Sequence, residues 1–140
     1  MLGFATRRCL SITKQNHLHT SCFTRAPAAQ IEPRVQKLID DALKKNDLIV
    51  FMKGSPNMPK CGFSRLVIQI LQLNGVEDVK SFDVLEDQDL REGIKIYSQW
   101  PTIPQVYIKG EFIGGADIMR SLHESGELQR MLREHKLISE

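Results

Sequence analysis

A single cysteine stands at the point of this chain best suited to thiol chemistry. Cys61 closes the segment Lys53-Gly-Ser-Pro-Asn-Met-Pro-Lys60 and is followed by Gly62-Phe63-Ser64. Ahead of that segment, Leu48-Ile-Val-Phe-Met52 is a short continuous apolar run, the pattern of a strand buried on both faces. Behind it, Phe63, Leu66, Val67, Ile70 and Leu71 recur at helical spacing. Cys61 is therefore expected in a strand-to-helix loop, beyond the carboxyl end of a strand, where open α/β sheets gather their ligands. A helix beginning near Gly62 aims unpaired N–H groups and a positive dipole end at the sulfur. Lys60 is adjacent and Lys53 sits at the strand end, and all three effects favour thiolate over thiol. The commoner fate of a lone cysteine is to be a small buried hydrophobe. A helix N-terminus flanked by lysines and prolines suits that role poorly.

The other two cysteines lie in a segment of different composition. Residues 1–29 hold Arg7, Arg8, Lys14 and Arg25, six Ser or Thr residues, and no Asp or Glu. An acid-free, Arg- and Ser/Thr-rich leader is the composition of an organelle transit peptide, with the mitochondrion as first destination. Cys9, His17, His19 and Cys22 invite a zinc reading. They lack the paired knuckle spacing and the surrounding core that zinc sites have, so no metal is assigned there. The whole chain carries 19 basic and 17 acidic residues, a charge of +2; without the leader's four basic residues it becomes −2. That near-neutral balance argues against a dedicated nucleic-acid binder. No apolar run approaches the ~18 residues of a membrane span.

The remaining pattern gives the elements that must position Cys61. Val35, Leu38, Ile39, Ala42 and Leu43 predict a helix, with Pro33 in its first turn and Asn46 at its end. Asn74-Gly75 stops the helix after Cys61, and Val79 to Val84 reads as a second strand, completing a right-handed parallel βαβ unit. A helix from about Asp87 to Tyr97 follows. Gln105–Ile108 and Glu111–Ile113 then flank Lys109-Gly110 as a hairpin. Ile118, Leu122, Leu128, Met131 and Leu132 mark one or two closing helices. The expected architecture is α/β: a mixed four-stranded sheet flanked by helices.

Four blocks carry a resemblance: Lys53-Gly-x-Pro, Cys61-Gly62-Phe63-Ser64, Trp100-Pro-Thr-Ile-Pro104 and Gly114-Gly-x-Asp117. In this order and spacing they resemble the monothiol glutaredoxins over residues 32–135, and with the leader they are most similar to that family's mitochondrial single-domain members. The resemblance divides the chain into a mitochondrial transit peptide at 1–29 and a glutaredoxin domain at 30–140. It implies a thioredoxin-like fold, glutathione binding, and a 2Fe-2S cluster held between two subunits for delivery to iron–sulfur apoproteins in the mitochondrial matrix. It implies that Cys61 is the catalytic thiol and cluster ligand. It further implies that Lys53 faces the glutathione and the thiolate, and that Arg91 pairs with the glycine carboxylate of glutathione, a task suited to guanidinium. Ile103 would hydrogen-bond the cysteinyl backbone of glutathione as a short added strand does. Ala116 and Asp117 would hold the γ-glutamyl end. By the same resemblance the Ile103–Pro104 bond is cis. Trp100 reads as core, and His123 and His135 read as surface residues.

One departure matters: many family members carry a second cysteine where this chain has Ala116. With Ser64 in the place of a resolving cysteine, dithiol exchange is excluded, leaving at most weak, glutathione-dependent monothiol oxidoreductase activity as the alternative to cluster transfer. A cysteine hydrolase ranks third, because no histidine falls near the active loop. A 2Fe-2S centre takes four ligands, typically thiolates. Two chains supply two, and two glutathiones the rest, which implies a cluster-bridged homodimer. A-type scaffold proteins, a BolA-like protein and an Hsp70 chaperone are partners implied by the resemblance.

Overall fold

A computed structural model describes residues 30–139. The leader and its Cys9, His17, His19 and Cys22 lie outside the described residues. The first helix, α1 (Pro33–Lys45), has proline at its start, where a missing N–H costs nothing. It buries Val35, Ile39, Ala42 and Leu43, and the Asn46 side chain closes it by donating to the Ala42 carbonyl at 2.8 Å. The strand β1 (Leu48–Met52) is buried along its whole length, as its unbroken apolar run requires. After α2 (Gly62–Leu73) comes β2 (Lys80–Asp83), one residue shorter at each end than the sequence pattern suggests, although Val79 and Val84 are still buried beside it.

Asp87 caps α3 (Gln88–Ser98), its carboxylate accepting from the N–H groups of Asp89 and Leu90 at 3.0 and 3.1 Å. The hairpin of β3 (Gln105–Ile108) and β4 (Glu111–Gly114) turns through Lys109 and Gly110, both at positive φ, as a two-residue turn of this hand demands. The closing segment is two helices, α4 (Ala116–Glu124) and α5 (Glu127–Glu134). Gly126 at φ +76° separates them.

The sheet order is β2-β1-β3-β4, with β1 parallel to β2 and the other neighbours antiparallel. Successive residues of β1 and β3 alternate between two cores. Val50, Met52, Val106 and Ile108 pack with α2, α4 and α5, while Ile49, Phe51 and Tyr107 pack with α1 and α3. Phe51 anchors the second core, stacked on Phe82 and edge-on to Tyr107, both at 5.6 Å. Arg34 on α1 reaches Asp87 and Asp89 at the start of α3, at 3.2 and 3.3 Å. His123 corrects the surface reading: it is half-buried, and its Nδ1 lies 2.9 Å from the Asn74 side-chain nitrogen, which also donates to the Ile70 carbonyl. His135 is half-buried as well.

Candidate functional site

The loop between β1 and α2 is fastened from both sides. The Gly54 N–H donates to Asp83 at 2.9 Å, and the Lys60 N–H donates to the Lys53 carbonyl at 2.9 Å. Gly54 sits at φ +90°, and a Cβ there would lie 2.4 Å from the Met58 carbonyl, so only glycine lets the loop fold this tightly. Burial pushes the Asp83 carboxyl up, but N–H donors from Gly54 and Leu85 and the Lys60 charge outweigh it and hold the group below its usual range. The Lys60 ammonium is 3.8 Å from Asp83 and is not part of the cavity lining.

Cys61 is the N-cap residue of α2, with extended backbone and no side-chain capping bond. Its carbonyl opens the helix by accepting from the Arg65 N–H at 3.0 Å, and the residue is partly exposed. Ser64, one turn on, is fully buried.

Beside Cys61 lies a cavity of about 400 Å³. Lys53, Cys61, Arg91, Ile103, Ala116 and Asp117, six residues drawn from the end of β1, the start of α2, α3, the 100–104 loop and the start of α4, all line it. Phe63, Lys95, Thr102 and the two prolines 101 and 104 complete the wall. Sequence reasoning missed Lys95, although it follows Arg91 by four residues and so shares its helix face. It also put Phe63 on the core face, whereas Phe63 is 59% exposed at the cavity rim.

The charges in this cavity have a clear polarity. Lys53, Arg91 and Lys95 share the lining with one carboxylate, Asp117. Lys95 is partly engaged by Glu92 at 3.1 Å. The Arg91 Nε is buried and has no hydrogen-bond partner among the described residues. Arg91 lines the cavity, and a guanidinium with an N–H unpaired in the protein keeps donor capacity for an anion.

The 100–104 loop and the start of α4 supply the rest of the lining. The Ile103–Pro104 bond is cis. Trp100 is half-buried and packs on Phe112 at 5.7 Å. Its indole nitrogen lies 3.1 Å from where a Gly115 Cβ would be, so the second glycine of the pair makes room for the ring. Gly115 caps α4, whose first residues, Ala116 and Asp117, reach the cavity. No three His, Cys, Asp or Glu side chains converge among the described residues, so a metal centre here must take most of its ligands from elsewhere.

A mixed four-stranded sheet with a cysteine at a strand-to-helix corner, sharing one cavity with a cis-proline, is the thioredoxin-like fold in its glutaredoxin form. Solved structures agree. A reduced poplar apo-glutaredoxin superposes with a TM-score of 0.67 at 40% identity, over 76% of this chain and 96% of that one. A truncated mutant of a Trypanosoma brucei glutaredoxin gives 0.64 at 45% identity, over 71% and 89%. The glutaredoxin family profile matches residues 48–113. Mitochondrial glutaredoxin-related protein 5 of zebrafish is 52% identical over 98 residues, covering 70% of this chain and 63% of that protein. Mitochondrial monothiol glutaredoxin-5 of Schizosaccharomyces pombe is 48% identical over 106 residues, covering 74% and 73%. The chain belongs to the glutaredoxin family, in its monothiol branch.

Proposed function

We propose that this protein binds glutathione beside Cys61 and, as a homodimer, carries a 2Fe-2S cluster to apoproteins of the mitochondrial matrix. The observation that carries the reading is the cavity that Cys61 shares with Lys53, Asp117 and Arg91, whose Nε has no hydrogen-bond partner among the described residues. Glutathione has a carboxylate at each end and one ammonium. Arg91 would take the glycine carboxylate by a charge-assisted fork. Lys53 would neutralise the thiol end, and the Ile103 backbone would pair with the cysteinyl unit. The start of α4 would receive the γ-glutamyl carboxylate at Ala116 and Asp117, with the Asp117 carboxylate on the ammonium.

The donor set fits a transported cluster better than a resident one. One thiol among the described residues, at a partly exposed helix start, supplies a quarter of the ligands a 2Fe-2S centre takes. Glutathione thiolates would supply half, and a cargo held half by exchangeable ligands is readily released. Recipients by this reading are iron–sulfur apoproteins, with A-type scaffolds, a BolA-like protein and an Hsp70 chaperone as partners; residues 1–29 would direct import.

A second reading is weak glutathione-dependent thiol–disulfide exchange, favoured by the partial exposure of Cys61. Ser64 is buried and bonded to the Lys53 N–H, so a mixed disulfide at Cys61 would wait for external glutathione. The deciding experiment is anaerobic reconstitution with iron, sulfide and glutathione. A brown protein that passes its cluster to an apo-ferredoxin supports the carrier; a colourless protein that still reduces a glutathionylated peptide supports the exchange enzyme.

A further inference from the structure

Part of the cavity lining, Pro101 to Pro104, belongs with Trp100 to a segment, Trp100–Pro104, that is in no helix or strand. Two of its five residues are prolines and donate nothing. The Trp100 N–H is spent on the Lys95 carbonyl at 3.0 Å. The Thr102 and Ile103 N–H groups make no backbone bond within the segment, so its carbonyls take their donors from outside it.

Gln105 supplies them. Its side chain is fully buried at the start of β3, and its Nε2 donates to the Trp100 carbonyl at 3.0 Å and to the Thr102 carbonyl at 3.1 Å. Both partners are pure acceptors, so the NH₂ end must face the segment and the amide oxygen must face away. That oxygen accepts from the Tyr107 hydroxyl at 3.3 Å. Burial pushes the Tyr107 phenol up to about 12, so it remains a donor across the physiological range. The Ile103 N–H and carbonyl, between the strapped carbonyls and Pro104, are left with no hydrogen-bond partner among the described residues.

We propose that Gln105 is a positioning residue for ligand binding, strapping the Trp100 and Thr102 carbonyls so that the Ile103 backbone faces the cavity, and that Tyr107 fixes the orientation of its amide. The proposal rests on the glutathione reading above. Gln105 touches no ligand itself; it acts through the 100–104 segment. A segment free to take several shapes would present Ile103 correctly only part of the time, and apparent affinity would fall by that fraction.

The test is glutathione affinity by calorimetry, measured with melting temperature on native protein and on Gln105→Met, Gln105→Glu, Tyr107→Phe and Val106→Ala. Val106 is fully buried in the other core and does not line the cavity, so Val106→Ala should lower melting temperature and keep the native Kd. Gln105→Met should weaken glutathione binding by about tenfold, and Tyr107→Phe by about threefold. Gln105→Glu turns a carboxylate toward two carbonyls. Its defect relative to native protein should shrink as pH falls toward about 5, where a buried carboxyl regains its proton and one donor. If Gln105→Met does not fold, Tyr107→Phe and Gln105→Glu decide. Native binding that these variants retain, or a loss matched by Val106→Ala, overturns the strap alone. Failure of native protein to bind glutathione overturns the proposed function and the strap's role with it.

Discussion

The buried Ser64 hydroxyl accepts a hydrogen bond from the Lys53 N–H at 3.2 Å, tying the first turn of α2 to the end of β1. The bond holds two residues of the cavity, Lys53 and Cys61, in fixed relation. It also shows what the residue three places after Cys61 does when it is not a thiol. Ser64→Cys would place a second sulfur one helical turn from the first, on the same face. Turnover of a glutathionylated peptide should rise several-fold, while a weaker acceptor for the Lys53 N–H costs about 1 kcal/mol of stability. Ser64→Ala should show the stability loss without the gain in turnover. Equal turnover in the two variants would count against the missing thiol as the limit on exchange.

Arg91 and Lys95 stand one turn apart on α3 and both line the cavity, but of these two it is Arg91 whose side chain has a buried nitrogen, Nε, without a partner among the described residues. Arg91→Glu should therefore weaken glutathione binding by more than about tenfold, since a carboxylate then faces a carboxylate. Arg91→Lys should fall between, because an ammonium cannot reproduce the guanidinium fork. Lys95→Gln should have the smaller effect, its ammonium being shared with Glu92. Calorimetry gives the affinities, and iron and sulfide assays on the same samples show whether cluster retention follows them. Native behaviour from Arg91→Glu would reduce Arg91 to an ordinary helix charge.

Asp87 connects acid stability to the same helix. Its carboxyl is held below the usual 3.8 chiefly by the Leu90 N–H, and further by Arg34 and the Asp89 N–H, against burial. A depressed carboxyl stabilises the fold fully above its ordinary value and loses that contribution as pH falls through the folded value. Asp87→Asn keeps a good capping side chain but removes the charge. Native protein should be the more stable at pH 7, and the difference should fade below about pH 4. Chemical denaturation at pH 7, 5 and 3 measures it; a difference constant with pH would mean that capping geometry alone matters.

Most of the sheet was readable because each strand had a local signature. Leu48–Met52 is apolar without interruption and is buried throughout, and Lys109-Gly110 supplies the two positive φ angles its turn needs. The ends of β2 were harder, because Val79 and Val84 are as buried as strand residues without belonging to the strand. At the site, motif blocks located residues but not the direction of their side chains. Phe63 obeys helical spacing yet points to the rim, and Lys60 neighbours Cys61 yet pairs with Asp83 across the sheet end. Gln105 read only as a strand residue, since its partners lie in a loop that has no periodicity to reveal it. Long-range pairings of this kind, like Asn74 with His123, are set by tertiary geometry.

The linkage of cluster to assembly follows from Cys61 being the one cysteine among the described residues. A single chain cannot enclose two irons with one thiolate, so cluster binding should require two chains related by a two-fold axis. The exposed Phe63 at the cavity rim would belong to the surface that two such faces bring together. Cluster and two glutathiones would occupy the centre, so little protein surface need be buried, and apoprotein should be more dissociated than holoprotein. Cys61→Ser should abolish cluster and dimer together, whereas serine at both Cys9 and Cys22 should leave them intact. Ultracentrifugation with iron, sulfide and glutathione assayed on the same sample should give two irons and two glutathiones per dimer. A monomer retaining two irons, or a cluster without glutathione, would overturn this assembly.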